Sequence, residues 1–209
     1  KFLYDYLVKI GWNGKVVYDI GAHIGYHSLC FAELVKTDGK VYSFEPHPKH
    51  IERIKLNLSH NKDLMSIIQL MPFALSNREG KIELFCLNNI EKGDSSASFI
   101  NDASTHYPRE HYKWFKPIVV EQTTIDELIY QDICIPPDLL KIDVEGAESL
   151  VIEGAIKTIE IHRPLIVVEV HNAPNMFHLI NTLQALEYNF QLLEEIDTRC
   201  FIAFIPQTH

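Results

Sequence analysis

Apolar and polar positions divide the chain into two kinds of segment that alternate. Short apolar runs, typical of buried strands, occupy Val16–Ile20, Val41–Phe44, Leu139–Val144 and Leu165–Val170. Between these runs the apolar residues recur at helical spacing, as they do over Tyr26–Val35. Strands that alternate with helices predict βαβ units around a mostly parallel sheet, so we expect an α/β fold.

The other regular segments extend this pattern. Two apolar runs, Phe190–Ile196 and Cys200–Ile205, flank a short polar turn and predict a C-terminal antiparallel strand pair. Because neither an internal repeat nor a linker divides the sequence, we expect a single domain over residues 1–209. Further strands are expected at Ser66–Met71, Lys81–Leu87 and Ile118–Gln122, and further helices at His50–Leu58, Thr124–Tyr130, Ala147–Ile159 and Met176–Leu186.

The composition excludes several classes of protein. With 209 residues, 46% of them hydrophobic and 22% charged, the chain can bury a substantial core and is not a disordered protein. Its net charge of −9 disfavours a nucleic-acid partner. No apolar run reaches the length of about 18 residues that a membrane span needs. The four cysteines stand singly inside apolar runs, which predicts reduced, buried side chains in a cytoplasmic protein.

A candidate binding site follows the first strand, which carries Asp19 next to its end and continues as the turn Gly21–Gly25. Ligands of open α/β sheets bind beyond the carboxyl ends of the strands, where glycines permit a sharp turn and a helix presents free N–H groups. Glu45 closes the next strand at a position that commonly holds a ribose. His23 stands where a dinucleotide motif has its middle glycine, so a ligand with a ribose but no pyrophosphate fits better. S-adenosylmethionine (SAM) is such a ligand, and Asp19 would attract its sulfonium.

A second group of polar residues follows two other apolar strands. Asp143 and Glu145 end one of them, and Glu169 and His171 end another at the same spacing of two. If these strands are neighbours, the four side chains converge at one edge of the sheet, where they would perturb one another's pKa values. Structural roles are the alternative: Glu145 as a helix cap, His171 as a surface histidine, and Glu148 as a partner of a helix dipole.

Five motifs resemble those of the FkbM-type methyltransferases in order and spacing: VYDIGAHIGY (17–26), FEPHP (44–48), ALSN (74–77), TTIDEL (123–128) and LKIDVEGAE (140–148). The agreement in order and spacing covers roughly residues 15–172, which is most of the chain, and the last motif is the most specific. One position departs from the family pattern, because His23 replaces the usual Asn, although both side chains can form hydrogen bonds.

The resemblance implies a Rossmann-like class I methyltransferase that uses SAM, most often to methylate a hydroxyl on a small molecule, a sugar or a natural product. Glu45 would then hold the ribose hydroxyls, and Phe73 and Ala74 would lie near the adenine. The cofactor-binding residues expected on this basis are Asp19, Gly21, Ala22, His23, Gly25, Tyr26, Glu45, Pro46, Phe73 and Ala74.

Methyl transfer to an alcohol also requires that the acceptor lose a proton. We expect the catalytic residues to be Asp143, His171, Glu145 and Glu169, with Asp143 and His171 as the candidate bases. No metal is included in this prediction, although the three acids could instead supply oxygen ligands to Mg²⁺ or Ca²⁺, with His171 as a further neighbour. Two other classes of function stay open: a module that binds SAM without turnover, and a nicotinamide-dependent oxidoreductase on the same fold.

Residues 88–116 interrupt the regular pattern, since they are polar and have no clear period. An irregular segment of this length is uncommon in a compact domain unless it has a function. We expect it to cover the acceptor side of the site and to contact the substrate through Ser96, Ser98 and Arg109. An amphipathic surface element packed on the sheet is the alternative. The sequence does not identify the acceptor, and it leaves open whether the chain forms a homo-oligomer.

Overall fold

The computed structural model describes residues 2–87, 98–100, 113–196 and 199–207. Most of the predicted strands and helices are present, with ends that differ by a few residues. In chain order the elements are α1 (Phe2–Lys9), β1 (Val16–Ile20), α2 (Tyr26–Val35), β2 (Lys40–Phe44), α3 (Pro48–His60), β3 (Ile68–Met71), β4 (Ala74–Leu75), β5 (Gly80–Leu87), β6 (Ser98–Ile100), β7 (Phe115–Thr123), α4 (Ile125–Tyr130), β8 (Leu139–Ile142), α5 (Glu148–Glu153), α6 (Ile156–His162), β9 (Leu165–Val170), α7 (Ala173–Ala185), β10 (Tyr188–Ile196) and β11 (Arg199–Pro206).

Within the described residues, seven strands form the main sheet in the order β10-β11-β9-β8-β1-β2-β3. The strands from β9 to β3 are parallel, whereas β11 runs antiparallel to both β9 and β10. The predicted α/β fold and its C-terminal antiparallel pair are therefore confirmed. At the centre, Ile20 of β1 pairs with Phe44 of β2 on one side and with Ile142 of β8 on the other. Three parallel strands thus end side by side, which is where such sheets bind their ligands.

A smaller sheet, not anticipated from the sequence, has the order β4-β7-β5-β6 in the described part of the chain. Here β5 is antiparallel to β6 and β7, and β4 is parallel to β7. Residues 88–116 are therefore not irregular throughout, since Ser98–Ile100 forms β6 and β7 begins at Phe115. These two segments are strands because they pair with β5. Pairing between strands leaves no trace in the local hydrophobic pattern, so the sequence did not predict strand structure within residues 88–116.

The main sheet buries apolar side chains on both of its faces. Alternate residues of β1 point in opposite directions, so Val17 packs with Phe31 and Ile54 from α2 and α3. Tyr18 packs on the opposite face with Ile159 of α6. Strands covered on both faces need continuous apolar sequence, which accounts for the uninterrupted runs that predicted them.

The prediction of one continuous helix over Ala147–Ile159 is wrong. The structure divides this segment into α5 and α6 at Gly154. A Cβ atom at this glycine would lie 2.0 Å from the carbonyl oxygen of Ser76, so the chain can pass this close only without a side chain. The break therefore coincides with a close approach of two segments that are far apart in sequence, which the apolar spacing alone does not report.

Two expectations from composition can be compared with the fold. All four cysteines are free, as predicted, but Cys86 and Cys134 are buried whereas Cys30 and Cys200 are partly exposed. Across the ranges that the structure describes, no helix combines the length and apolar character that crossing a membrane requires.

Candidate active site

A cavity of about 290 Å³ opens at the carboxyl ends of β1, β2 and β8. This is the place at which a parallel sheet binds its ligand, and the volume is near the lower end of the range for small-molecule sites. Asp19 and Gly25 are not among the lining residues. The predicted cofactor residues that do line it are Gly21, Ala22, His23, Tyr26, Glu45, Pro46, Phe73 and Ala74.

The turn after β1 has a backbone that favours glycine. Gly21 has a φ of +76°, and a Cβ atom there would lie 1.8 Å from the carbonyl oxygen of Asp143. The backbone N–H groups of Gly21 and Ala22 donate to the carbonyl oxygen of Phe44 over 3.0 Å, which ties the turn to β2. His23 also has a positive φ, of 53°, a conformation that costs a non-glycine residue energy and is common at functional sites.

Glu45, at the end of β2, is buried at the edge of the cavity. Its Oε2 atom accepts a hydrogen bond from the backbone N–H of His23 over 2.8 Å, and its Oε1 atom accepts one from the N–H of His47 over 2.9 Å. The Nδ1 atom of His50 lies 3.3 Å from the same Oε1 atom. These contacts fix the direction of the carboxylate. Oε2 retains a second lone pair for a ligand, and Oε1 does so when the proton of His50 is on Nε2 rather than on Nδ1.

The residues around this end of the cavity fit SAM. A rigid carboxylate, Glu45, can accept hydrogen bonds from two ribose hydroxyls, and the close packing at Gly21 keeps side-chain atoms out of the turn. Phe44 and Phe73, whose ring centroids are 5.9 Å apart, supply an apolar wall suited to an adenine ring.

Asp19 is fully buried behind the turn rather than at the cavity. Its Oδ1 atom lies 3.1 Å from the Nζ atom of Lys141, and Ser28 donates a hydrogen bond to its Oδ2 atom over 2.6 Å. Lys141 itself lines the cavity, and sequence reasoning missed it as a site residue. The available signal was a charged residue inside an apolar strand, because a buried lysine needs a partner.

The acidic residues predicted to be catalytic do meet at the carboxyl ends of β8 and β9, which are neighbours. Asp143 and Glu145 line the cavity, with side chains that are 27% and 13% exposed. His171 lies behind them, and its Nε2 atom is 3.8 Å from Asp143 Oδ1 and 3.7 Å from Glu145 Oε2. Glu169 is also outside the lining, with its Oε1 atom 3.8 Å from the same nitrogen. A direct role for His171 and Glu169 in catalysis stays a prediction.

Burial and charge shift the pKa values within this group in different directions. Burial raises the pKa of Glu145 to about 7, and burial together with the charge of Asp143 raises the pKa of Glu169 to about 7. Asp143 has a lowered pKa, because Lys141 and His171 outweigh the effect of burial. The neighbouring carboxyl groups therefore differ widely in pKa, so Glu145 and Glu169 bind a proton near neutral pH whereas Asp143 does not.

His171 carries the opposite shift. Burial alone would lower its pKa, but the hydrogen bond and charge of Glu148, together with the other nearby carboxylates, raise it to about 9. Its Nδ1 atom lies 2.6 Å from Glu148 Oε1. Glu148 is fully buried and also accepts hydrogen bonds from the N–H of Gly146 and the amide of Asn175. It is therefore more than a partner of the helix dipole, since it orients the imidazole.

The spacing of two between Asp143 and Glu145 predicts that both side chains lie on one face of an extended strand, and this prediction is wrong. The two residues do not share a face of an extended chain, because β8 ends at Ile142 and Glu145 has a φ of +51°. Glu145 does not cap α5 either, since Ala147 is the residue at that position. A tight turn, rather than strand alternation, brings both carboxylates to the cavity.

Arg199, at the start of β11, is a second lining residue that sequence reasoning did not select. Its Nη1 atom lies 2.7 Å from Glu169 Oε1, and its side chain is 43% exposed. No local signal marked this arginine, because it reaches the cavity only through the pairing of β11 with β9.

The predicted substrate contacts cannot be compared with the structure. Ser96 and Arg109 lie outside the described residues, and Ser98 is described only as part of the backbone of β6. Metal ligation can be assessed only within the described ranges. There, Asp143, Glu145 and His171 offer donor atoms within 4.8 Å of one another, so these three could hold a cation.

Comparison with known proteins identifies the family of the chain. The model of the methyltransferase FkbM domain matches residues 19–192, which include the glycine turn, Glu45 and the acidic group. The chain belongs to the FkbM methyltransferase family. Its fold is the Rossmann-like class I methyltransferase fold. The crystal structure of the methyltransferase FkbM from Methylobacillus flagellatus shares this fold, with a TM-score of 0.65 and 18% identity over 92% of this chain and 43% of that one.

Two curated relatives of this FkbM-family chain are named as methyltransferases. The 2-O-methyltransferase NoeI from Sinorhizobium fredii is 30% identical over 151 residues, which are 69% of this chain and 58% of NoeI. The hexuronic acid methyltransferase AglP from Haloferax volcanii is 26% identical over 167 residues, which are 79% of this chain and 59% of AglP. The chain thus spans just under three fifths of the length of either relative.

Proposed function

We propose that this chain transfers the methyl group of SAM to a hydroxyl group of a sugar-like acceptor. The observation that carries this proposal is that one cavity presents Glu45 at one strand end and the carboxylates of Asp143 and Glu145 at another. The first arrangement suits a ribose, and the second suits the removal of a proton from an alcohol. The match to the FkbM methyltransferase family also supports this proposal.

In this proposal the cofactor lies along the turn between β1 and α2. Glu45 accepts hydrogen bonds from the two ribose hydroxyls, while Phe73 and Ala74 pack against the adenine. Gly21, Ala22 and the residues up to Tyr26 shape the groove, and Asp19 acts from behind through Lys141. When bound, SAM supplies the methyl group on a positively charged sulfonium. The protein's own task is to align the acceptor oxygen and to exclude water.

The acidic group accepts the acceptor's proton. Glu145 is the best suited base, because it lines the cavity and its pKa is raised to about 7. Asp143 stays ionised and orients the hydroxyl, because its pKa is lowered. His171 and Glu169 are positioning residues that hold these carboxylates from behind.

A sugar-like acceptor is supported by the relatives and by one lining residue. NoeI is named a 2-O-methyltransferase and AglP a hexuronic acid methyltransferase. Arg199 presents a partly exposed guanidinium at the cavity, which can pair with a carboxylate on the acceptor. We further propose that residues 88–116 belong to the same domain and cover the acceptor, with Ser96, Ser98 and Arg109 as contacts.

A direct assay tests this proposal. The chain is incubated with SAM and a panel of methyl glycosides, both neutral and uronic, and S-adenosylhomocysteine (SAH) and methylated product are measured by mass spectrometry. We expect methylation of at least one glycoside, and Glu145→Gln serves as the inactive control. SAM binding in calorimetry without product from any hydroxyl acceptor would indicate a binding module instead, and binding of NAD but not SAM would indicate an oxidoreductase.

A further inference from the structure

Lys141 lies at the junction between the two halves of the cavity. It is the third residue of β8, and only 2% of its surface is exposed. Its Nζ atom donates a hydrogen bond to the carbonyl oxygen of Gly21 over 3.1 Å. The same atom lies 3.1 Å from Asp19 Oδ1 and 3.5 Å from Asp143 Oδ2. One ammonium group thus contacts the turn of the cofactor end and a carboxylate of the acceptor end.

The ammonium group is occupied by these contacts. It has three N–H donors, and among the residues that the structure describes, oxygen atoms of Gly21, Asp19 and Asp143 lie within 3.5 Å of it. The ammonium group of Lys141 is therefore better placed to hold these protein groups than to bind a ligand. A charged hydrogen bond in a buried place is strong and directional, so it restricts the groups that it joins.

The backbone joins the same two places. The N–H of Asp143 donates to the carbonyl oxygen of Ile20 over 3.0 Å, directly before the turn. The Cα of Gly21 packs so closely on the carbonyl oxygen of Asp143 that a side chain cannot fit between them. A movement of the turn is therefore transmitted to Asp143, and Lys141 joins the polar atoms on both sides of this contact.

We propose that Lys141 is a positioning residue, which clamps the carbonyl group of Gly21 to the carboxylate of Asp143 and so holds the cofactor end and the acceptor end in one fixed arrangement. The inference rests on the proposed function, because it assigns the turn to SAM and Asp143 to the acceptor. It predicts that loss of the ammonium group weakens cofactor binding and slows turnover, even when the net charge of the site is unchanged.

The buried pair of Asp19 and Lys141 permits a test at constant charge. Lys141→Met alone removes the clamp but leaves Asp19 buried beside a second carboxylate, which can unfold the protein. The double variant Asp19→Asn/Lys141→Met removes one negative and one positive charge together. Asn keeps an oxygen that accepts the hydrogen bond of Ser28, and Met keeps the unbranched length of lysine.

A matched control is available on the smaller sheet. Lys81 and Glu121 form an ion pair of 3.5 Å between β5 and β7, and both side chains are more than 60% exposed. Neither residue lines the cavity. The double variant Lys81→Met/Glu121→Gln therefore removes one ion pair at constant net charge outside the cavity lining, and we expect it to alter neither ligand affinity nor turnover.

Calorimetry with SAM and with SAH, together with a steady-state assay, decides between a clamp and other roles. For the double variant we expect a melting temperature close to that of the wild type and dissociation constants for SAM and SAH that both rise about ten-fold. The kcat should fall by a similar factor or more while the KM of the acceptor stays unchanged. A purely structural role would move the melting temperature and not these constants.

Two results would overturn the clamp. One is a folded double variant with wild-type affinity for SAH and wild-type kcat. The other is a loss of affinity for SAM that is much larger than the loss for SAH, since SAH lacks the positive charge and a clamp affects both alike. A wild-type chain that binds neither SAM nor SAH would instead overturn the proposed function, and this inference with it.

Discussion

The Nδ1 atom of His171 lies 2.6 Å from the Oε1 atom of Glu148, and both side chains are almost completely buried. This hydrogen bond fixes the imidazole so that its Nε2 atom faces Asp143, Glu145 and Glu169, each 3.7 to 3.8 Å away. A single oriented cation thus stands behind three carboxylates. The relationship ties the stability of the protein to the arrangement of its candidate active site.

Removing the charge of Glu148 should destabilise the protein. Glu148→Gln leaves the buried imidazolium without its closest anion, and breaking a buried ion pair in this way costs about 3 kcal/mol of unfolding free energy. Urea denaturation measures the change. The control is Glu153→Gln, because Glu153 lies 3.3 Å from His178 in an exposed pair, for which we expect about 1 kcal/mol or less. Equal losses in both variants would contradict this prediction.

The same contact makes stability depend on pH. The folded pKa of His171 is raised to about 9, so its stabilisation is complete below the unfolded value of about 6.5 and is lost as the pH rises through 9. The raised pKa values of Glu145 and Glu169, about 7, act in the same direction between about pH 4.5 and 7. We therefore expect the unfolding free energy to decline by a few kcal/mol, on the order of 3, between about pH 6 and 9.5. Glu148→Gln should flatten the upper part of this curve.

The pH profile of turnover should identify the base. If Glu145 takes the proton, kcat rises with pH through about 7, because only the ionised carboxylate is active. Glu145→Gln should then lower kcat by about 10²–10⁴ and abolish the pH dependence, while Glu121→Gln on the smaller sheet should not. A flat profile across neutral pH would instead indicate Asp143, whose pKa is lowered. A rise only near pH 9 would indicate His171.

Glu45 should be necessary for cofactor binding. Glu45→Gln replaces one carboxylate oxygen by an NH₂ group, which donates hydrogen bonds instead of accepting them. This group would face another donor, the backbone N–H of His23 or of His47, and it could no longer accept a hydrogen bond from a ribose hydroxyl. We expect the dissociation constant of SAM in calorimetry to rise at least about ten-fold. Glu52→Gln, on the exposed face of α3, is the control and should leave SAM binding as it is. Unchanged affinity in Glu45→Gln would exclude Glu45 as the ribose ligand.

Arg199 should select for an acidic acceptor. With Arg199→Gln the KM for a uronic acid glycoside should rise about ten-fold or more, whereas the KM for the matching neutral glycoside should change little. The reason is the loss of a guanidinium at the cavity that can pair with a carboxylate. Competition assays with the two glycosides measure the ratio of kcat/KM. An equal effect on both would assign Arg199 to the support of Glu169 alone.

Turnover should not depend on a divalent cation. Asp143, Glu145 and His171 have donor atoms within 4.8 Å of one another, but Mg²⁺ and Ca²⁺ prefer oxygen ligands, and one of these three donors is an imidazole nitrogen. We expect kcat to survive dialysis against EDTA. Activity that is lost on this treatment and returns with Mg²⁺ would refute the expectation and favour metal assistance by the acidic group.

Much of the candidate site was predictable because its signals are local in sequence. The turn between Gly21 and Gly25, the acid Glu45 and the pair Asp143 and Glu145 all follow apolar strands, and a parallel sheet brings strand ends to the same edge. Most of the predicted cofactor residues line the cavity for this reason. Their individual roles stay predictions.

Other parts of the site depend on contacts between distant segments. Arg199 reaches the cavity through the antiparallel pairing of β11 with β9, and the break of the predicted helix at Gly154 depends on the approach of Ser76. The smaller sheet exists because β5 pairs with both β6 and β7. Pairing of this kind has no short-range signature that a single sequence displays.

The sequence by itself determined the α/β alternation, the parallel core of the sheet and the edge at which the acids gather, because hydrophobic periodicity and glycine turns are local properties of the chain. Only the tertiary structure decided which of these charges meet the cavity and which stand behind it. Asp19 and His171 were selected as direct participants, yet both lie in the interior, paired with Lys141 and Glu148. Whether a charged side chain reaches the cavity depends on its direction and burial. Both arise from packing between segments that are more than 20 residues apart in sequence.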